Sequence, residues 1–465
     1  MNRFNLLLCF LCCSLPSAAW AAVANAGGMS LGWCLPFAGI LLSIALFPLM
    51  AEAFWHHHFG KIIAGLTASL LLPLAWHAGS SAALHLVLHA MLSEYVPFVI
   101  LLLCLYTLSG GILLSGRLHA TPGLNVLILA LGALLAPVMG TTGAAMLLIR
   151  PLLRANKSRH YKQHVVLFFI FLVANIGGGL TPLGDPPLFL GFLHGVSFGW
   201  TFAHMLLPVL FAEGWLLLVF WLVDRHYFRK EAHSVQPAQD VPLHLTGRIN
   251  FVLLLLAVAS VLWSGIWKPG IVFSVLGSEV EAQNLLRDGS LLLLTGLSLY
   301  LTPHAVRGAN EFNWHPMAEV AKLFAGIFIT IVPVIDILRA GSHGALAGVA
   351  QLVTLPSGQP ADVMYFWVSG ILSSLLDNAP TYLVFFNLAS GDALTMMGPL
   401  ASTLKAISIG AVFMGAMTYI GNAPNLMVRN IASHHRVRMP GFFGYILWSG
   451  AVLLPLFVLE SLLFL

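Results

Sequence analysis

Long apolar runs alternate with short polar breaks along almost the whole chain. Runs of this kind predict membrane-spanning helices, since a crossing takes about 20 apolar residues. Uninterrupted runs fall at 31–53, 62–76, 95–114, 202–223, 251–267, 290–301, 321–338 and 442–465. Four others are broken from within. MGTTG interrupts the run after Leu124, and LLDNAPTYL interrupts 363–388. NIGGGLTPLGDPPLFLG follows a run that begins at His164, and TYIGNAPN sits inside 404–428. Gly and Pro release backbone groups from helical bonding, and in lipid such groups persist only where protein or a water-filled cavity satisfies them. Each break is therefore a candidate site.

The breaks come in pairs. TPLGDPPLFL from Thr181 and TYIGNAPNLM from Thr418 share the pattern T-x-[LI]-G-[DN]-x-P at an offset of 237 residues. The same offset places Thr141 of MGTTG on Asn378 of LLDNAP. Each half thus carries a first break some 40 residues before its TxxG motif. The arms around MGTTG are each short for a full crossing, which predicts re-entrant hairpins at the first breaks and broken helices at the second. Interrupted apolar segments in corresponding positions of two halves point to the binding site of a secondary transporter. The predicted fold is an all-α polytopic membrane protein with inverted repeats, re-entrant hairpins and broken transmembrane helices.

Composition agrees: 59% of residues are hydrophobic and 8% charged, against about 25% charged in soluble domains. The first 26 residues read as a signal peptide, with Arg3, the run LLLCFLCCSL, and A-x-A sites at 19–21 and 24–26. Cys34 and Cys104 then read as small buried hydrophobes. His56, His57 and His58 read as a solvated loop, and His85 and His89 as interfacial rather than metal-binding. The halves are 27–223 and 249–465, joined by a polar linker, 224–248. With the mature N-terminus and the C-terminus outside, sixteen Lys and Arg fall in inside segments and four outside. That is the positive-inside bias of an inner (plasma) membrane protein of bacterial type, and it orients the two hairpins oppositely.

The side chains at the breaks are oxygen-rich: Thr141, Thr142, Asn175, Thr181, Asp185, Asp377, Asn378, Thr381, Thr418, Asn422 and Asn425. Oxygen ligands suit small hard cations such as sodium. Asp185 and Asp377 are the two carboxylates, one per half, and are not repeat-equivalent. A carboxylate in the membrane is costly unless it has a partner or a function, and one that alternates between a proton and a cation suffices for exchange. Glu94, Glu213 and Asp336, in or near other spans, are candidate proton-path residues. No HExxH, nucleophile motif or Walker loop suggests an enzyme, no cofactor is implied, and +4 of net charge does not suggest nucleic acid.

With these motifs placed, the chain resembles the ion transporter superfamily. NIGGGLTPLGDPP resembles the fifth-helix motif of NhaD-type sodium/proton antiporters and of CitMHS-like citrate transporters, and LLDNAP the Asp-Asn-x-Pro tip of the NhaD-type second hairpin. The resemblance implies an inverted-repeat fold, a homodimer in the lipid bilayer and elevator-like movement of the hairpin-bearing part. The Ser-Asn-Thr signatures of dicarboxylate carriers are absent. The expected function is sodium/proton antiport, with Asp185 and Asp377 binding Na+; the alternative is a citrate- or dicarboxylate-type anion symporter of the same superfamily.

Overall fold

The computed structural model describes residues 30–117, 120–231, 241–275, 278–339 and 345–465. The expected signal peptide, 1–26, lies outside the described residues. The described protein is an all-α polytopic membrane protein, and nine of its helical segments are long and apolar enough to cross a membrane.

The chain opens with α1 (Leu35–Met50), α2 (Glu52–Ala78), α3 (Ser80–Ala90) and α4 (Val96–Gly110). The His-rich stretch expected as a loop forms the first turns of α2 instead. The first hairpin is α5 (Pro122–Met139) and α6 (Thr141–Ala155), turning at Gly140 with φ +76°. The first broken helix is α7 (Gln163–Leu172), a 3-10 turn Ile176–Leu180, extended backbone, and α8 (Pro186–Leu193). The long α9 (Phe198–Glu231) follows.

The second half begins with α10 (Ile249–Ile266), α11 (Ala282–Leu301), the short α12 (His304–Ala309) and α13 (His315–Arg339). After α14 (Ala347–Leu352), the second hairpin is α15 (Asp362–Leu376) and α16 (Asn378–Ala389), turning at Asp377. Short α17 (Ala393–Met397) precedes the second broken helix: α18 (Ala401–Phe413), a 3-10 turn Met414–Met417, extended backbone, and α19 (Ala423–His434). The span α20 (Phe442–Phe464) comes last.

Two polar stretches depart from the expectation. The proposed linker 224–248 starts as the last turns of α9, where Asp224 is fully buried. It ends as strand β2 (Val241–Thr246), antiparallel to β1 (Leu113–Arg117). The polar stretch 277–289, which falls between the expected runs, carries strand β4 (Ser278–Glu281), paired with β3 (Val272–Val275), and the start of α11. Arg287 and Asp288 fit that helix because they bond to each other at 2.8 Å.

The first broken helix is the centre of the molecule. Within 163–180, 89% of residues are buried, against 17% in the window of α2 and 28% in that of α9. A segment so enclosed can open its backbone without exposing polar groups to lipid.

Candidate functional site

The two breaks are built alike, atom for atom. Thr181 Oγ1 donates to Pro137 O, and Thr418 Oγ1 to Ser374 O, each at 2.5 Å. Leu183 N donates back to Thr181 Oγ1, and Ile420 N to Thr418 Oγ1, each at 3.2 Å. All these pairs stand at the 237-residue offset. Each threonine thus pins its broken helix to the first arm of its own hairpin and replaces bonds the helix has given up. The glycines repeat too. A side chain on Gly184 would collide with Gly178 O, and one on Gly421 with Gly415 O. Only glycine lets each extended segment fold against its 3-10 turn.

A ladder of asparagines joins the two broken helices. Asn175 Nδ2 donates to Asn425 Oδ1 at 2.7 Å. Asn422 Nδ2 lies within reach of Ala174 O at 3.1 Å, Asn175 Oδ1 at 3.3 Å and Asp185 Oδ1 at 3.0 Å. Asn425 Nδ2 donates to Gly415 O and Thr418 O, each at 2.9 Å.

Asp185 collects donors from three further elements. Its Oδ1 accepts from Thr141 Oγ1 at 3.2 Å as well as from Asn422, and its Oδ2 accepts from Asn378 Nδ2 at 2.5 Å. One carboxylate thus ties both hairpin tips and both broken helices together. Asn378 Oδ1, on the same amide, is buried with no hydrogen-bond partner.

Asp377 is different. It turns the second hairpin at φ +97°, where the first has Gly140 at +76°. Side chains rarely adopt this backbone, and an Asp held there costs on the order of 1–3 kcal/mol. Its side chain is engaged by the backbone of Asn378 and, at a long 3.4 Å, by Ala379 N. Asp377 thus holds a strained backbone at a position where the other hairpin has glycine, and it lines the cavity between the hairpins and the broken helices.

These elements enclose a cavity of about 110 Å³, lined by Thr141, Thr142, Asp185, Asp377, Asn378 and Asn422. Leu101 of α4 and Met317 and Phe324 of α13 close its apolar side. A second cavity of about 420 Å³ shares Tyr106, Asp377, Asn422 and Met427 with the first and continues to Arg150, Glu311 and His434. The first residues of four helices, α6, α8, α16 and α19, all line the smaller cavity. Helix N-termini carry partial positive charge, but α8 opens with Pro186 and Pro187, which have no N–H, and Thr141 N already donates to Gly184 O at 2.9 Å; two carboxylates, Asp185 and Asp377, share the wall.

Of the expected site residues, Thr141, Thr142, Asp185, Asp377, Asn378 and Asn422 come together at the cavity. Asn175, Thr181 and Thr418 stand behind it and hold the breaks. The expected proton-path residues line neither cavity. Glu94 Oε1 lies 3.6 Å from His194 Nε2, Glu213 is half-buried on α9, and Asp336 is exposed. Asn425, among the oxygen-bearing side chains at the breaks, stands behind the cavity, where it accepts from Asn175. Arg150 was missed. It carries no signal, because nothing in the sequence places it on the second cavity.

Paired hairpins and broken helices around a largely apolar cavity, with polar side chains of the breaks in its wall, are the architecture of a membrane transporter. The chain belongs to the family described as "Putative citrate transport", which matches residues 26–465. It is similar to an "Uncharacterized transporter" of Mycobacterium tuberculosis, 25% identical over 344 residues, covering 72% of this chain and 75% of that protein. It is also similar to the "46 kDa membrane protein" of Mycobacterium leprae, 24% identical over 327 residues, covering 68% and 71%. The mouse "P protein" is 23% identical over 366 residues, covering 62% of this chain and 43% of its own length. The family match favours the carboxylate alternative over sodium/proton exchange.

Proposed function

We propose that this protein carries a citrate-class carboxylate across the membrane together with a cation or a proton. The observation that carries this reading is the convergence of four helix N-termini on one enclosed cavity. Each N-terminus brings about half a positive charge toward an anion, although α8 opens with Pro186 and Pro187 and so adds no N–H in its first two positions. These dipoles are fixed by the folded breaks, and the cavity wall holds no basic side chain. Asp185 and Asp377 would repel a carboxylate, and that repulsion is what couples the transport. A cation or proton held at them offsets their charge, so anion and co-ion bind better together than apart. Asp377 is the better placed of the two to take the co-ion, because Asp185 already accepts from three side chains, Thr141, Asn422 and Asn378. Movement of the hairpins and broken helices as one body is part of the proposal.

The test is accumulation of labelled citrate by the purified protein in liposomes when a sodium or proton gradient is imposed. Uptake that needs the gradient supports the reading. Protein that is folded and inserted but accumulates neither citrate nor a dicarboxylate under either gradient refutes it.

A further inference from the structure

A third cavity, beside the start of the first broken helix and the end of the second, is strongly basic. It measures about 440 Å³ and is lined by Arg159, His160, Lys162, Arg436, Arg438 and Trp448, with no carboxylate in its wall. Three apolar spans end here: α7 and α20 begin at it, and the last turns of α9 reach it through Tyr227.

Arg159 is the floor. Its side chain is 1% exposed, with Nη1 2.6 Å from Asp224 and Nε 3.3 Å from Glu231. Those two acids lie behind the cavity and fix the guanidinium in place. Its Nη2 is shielded from solvent and has no hydrogen-bond partner. A buried charged donor left unpaired is costly, so this nitrogen calls for an acceptor. The rim is exposed and basic. Among the described residues neither Arg436 nor Arg438 makes an ion pair. Arg436 sits in a left-handed turn, φ +60°, that a non-glycine residue enters only at a cost.

A fixed guanidinium with one free donor, beneath a rim of solvent-facing cations, suits a phosphate ester, whose oxygens accept charge-assisted bonds from several donors at once. Trp448 and Tyr161 at the mouth have the amphipathic rings found at membrane–water interfaces. Basic pockets between spans on the cytoplasmic side bind phospholipid head groups. We propose that this cavity binds the phosphate of an anionic phospholipid head group, held by Arg159 Nη2, Lys162, Arg436 and Arg438. The lipid would clamp the entry of α7, the helix that leads directly into the first break.

The experiment uses the full chain in detergent and native mass spectrometry. The probes are phosphatidylglycerol, phosphatidylcholine and inorganic phosphate. The exposed rim is mutated, R436Q/R438Q, so that folding is not at stake. Each basic residue near an anionic lipid is worth about fivefold in affinity, so the double variant is expected to bind phosphatidylglycerol about 30-fold more weakly. R436K/R438K is expected to keep most of the binding, and phosphatidylcholine to bind no better than to the glutamine variant. Equal binding of phosphatidylglycerol by R436Q/R438Q and the unmodified protein would overturn the site. Inorganic phosphate that binds alone, and displaces the lipid at millimolar concentration, would overturn the lipid assignment in favour of a soluble phosphate ligand.

Discussion

Replacing Asp377 with glycine should abolish transport without weakening the fold. Asp377 turns the second hairpin at φ +97°, ψ 141°, and its repeat partner is Gly140 at φ +76°, ψ 151°. Relieving that backbone should return about 1–3 kcal/mol. Against this stand the extra chain entropy that glycine loses on folding, about 0.5–1 kcal/mol, and the weak cap to Ala379, a few tenths when glycine takes the position. The balance runs from about neutral to about 2 kcal/mol of stabilisation. Asp377→Ala keeps the strain and loses the cap, so it should be the less stable variant, by roughly 1–3 kcal/mol relative to Asp377→Gly. Both lack the carboxylate and should be inactive. The assay pairs thermal unfolding of the solubilised variants with gradient-driven uptake in liposomes. Equal melting temperatures for the two variants would refute the strain argument. Transport by Asp377→Gly would refute the role of the carboxylate.

Four further outcomes follow from the same geometry. Thr181→Ala and Thr418→Ala should each cost about 1–3 kcal/mol, because each strands a buried carbonyl and a buried N–H; the two losses should match, and unequal unfolding shifts would break the equivalence of the halves. Gly184→Ala and Gly421→Ala should misassemble the breaks and reduce folded yield, while Gly214→Ala, where a side chain meets nothing within 4 Å, should not. Asp185→Asn should still fold and insert, because Asn378 can turn its amide and present the now unpartnered Oδ1 to the new donor; failure to fold would show that the charge itself holds the four elements together. Arg150 donates to Glu311 at 2.9 Å, and that bond, with the guanidinium charge, holds the Glu311 carboxyl below its usual range. A lowered carboxylate pKa contributes stability above the ordinary value and loses it as pH falls through the lowered one. Any melting gap between the unmodified protein and Glu311→Gln should therefore be open at neutral pH and close below about pH 4; since Glu311 is 71% exposed, the gap should be small and shrink with salt.

Much of the site could be read from the chain because breaks in membrane helices have few chemical solutions. Thr181 and Thr418, Gly184 and Gly421, and Asp185 and Asn422 fall in register because each half needs the same backbone replaced by the same side chains. What escaped the reading depends on long-range packing. Asp224 lies in a polar stretch that looks like a linker, yet it is buried because Arg159, His164 and Asn125 all reach it from other elements. Arg287 and Asp288 look like loop residues until their mutual bond lets α11 carry them. Glu94, Glu213 and Asp336 were singled out by depth in apolar runs alone, and depth along a helix does not say which way a side chain faces. Asn425 is the reverse case: the motif itself marked it, but its bond to Asn175, which joins the two broken helices, depends on packing.

The central claim is that the cavity between the four helix N-termini takes a carboxylate, with a co-ion at Asp377. The most direct measurement follows labelled citrate and internal pH together in liposomes holding the purified protein, with sodium, lithium or a proton gradient supplied in turn. The account predicts citrate entry that depends on one of these gradients and is lost in Asp377→Gly. Sodium- or lithium-driven proton movement that needs no carboxylate, with no entry of citrate under any gradient, would contradict it and make the protein a cation/proton exchanger.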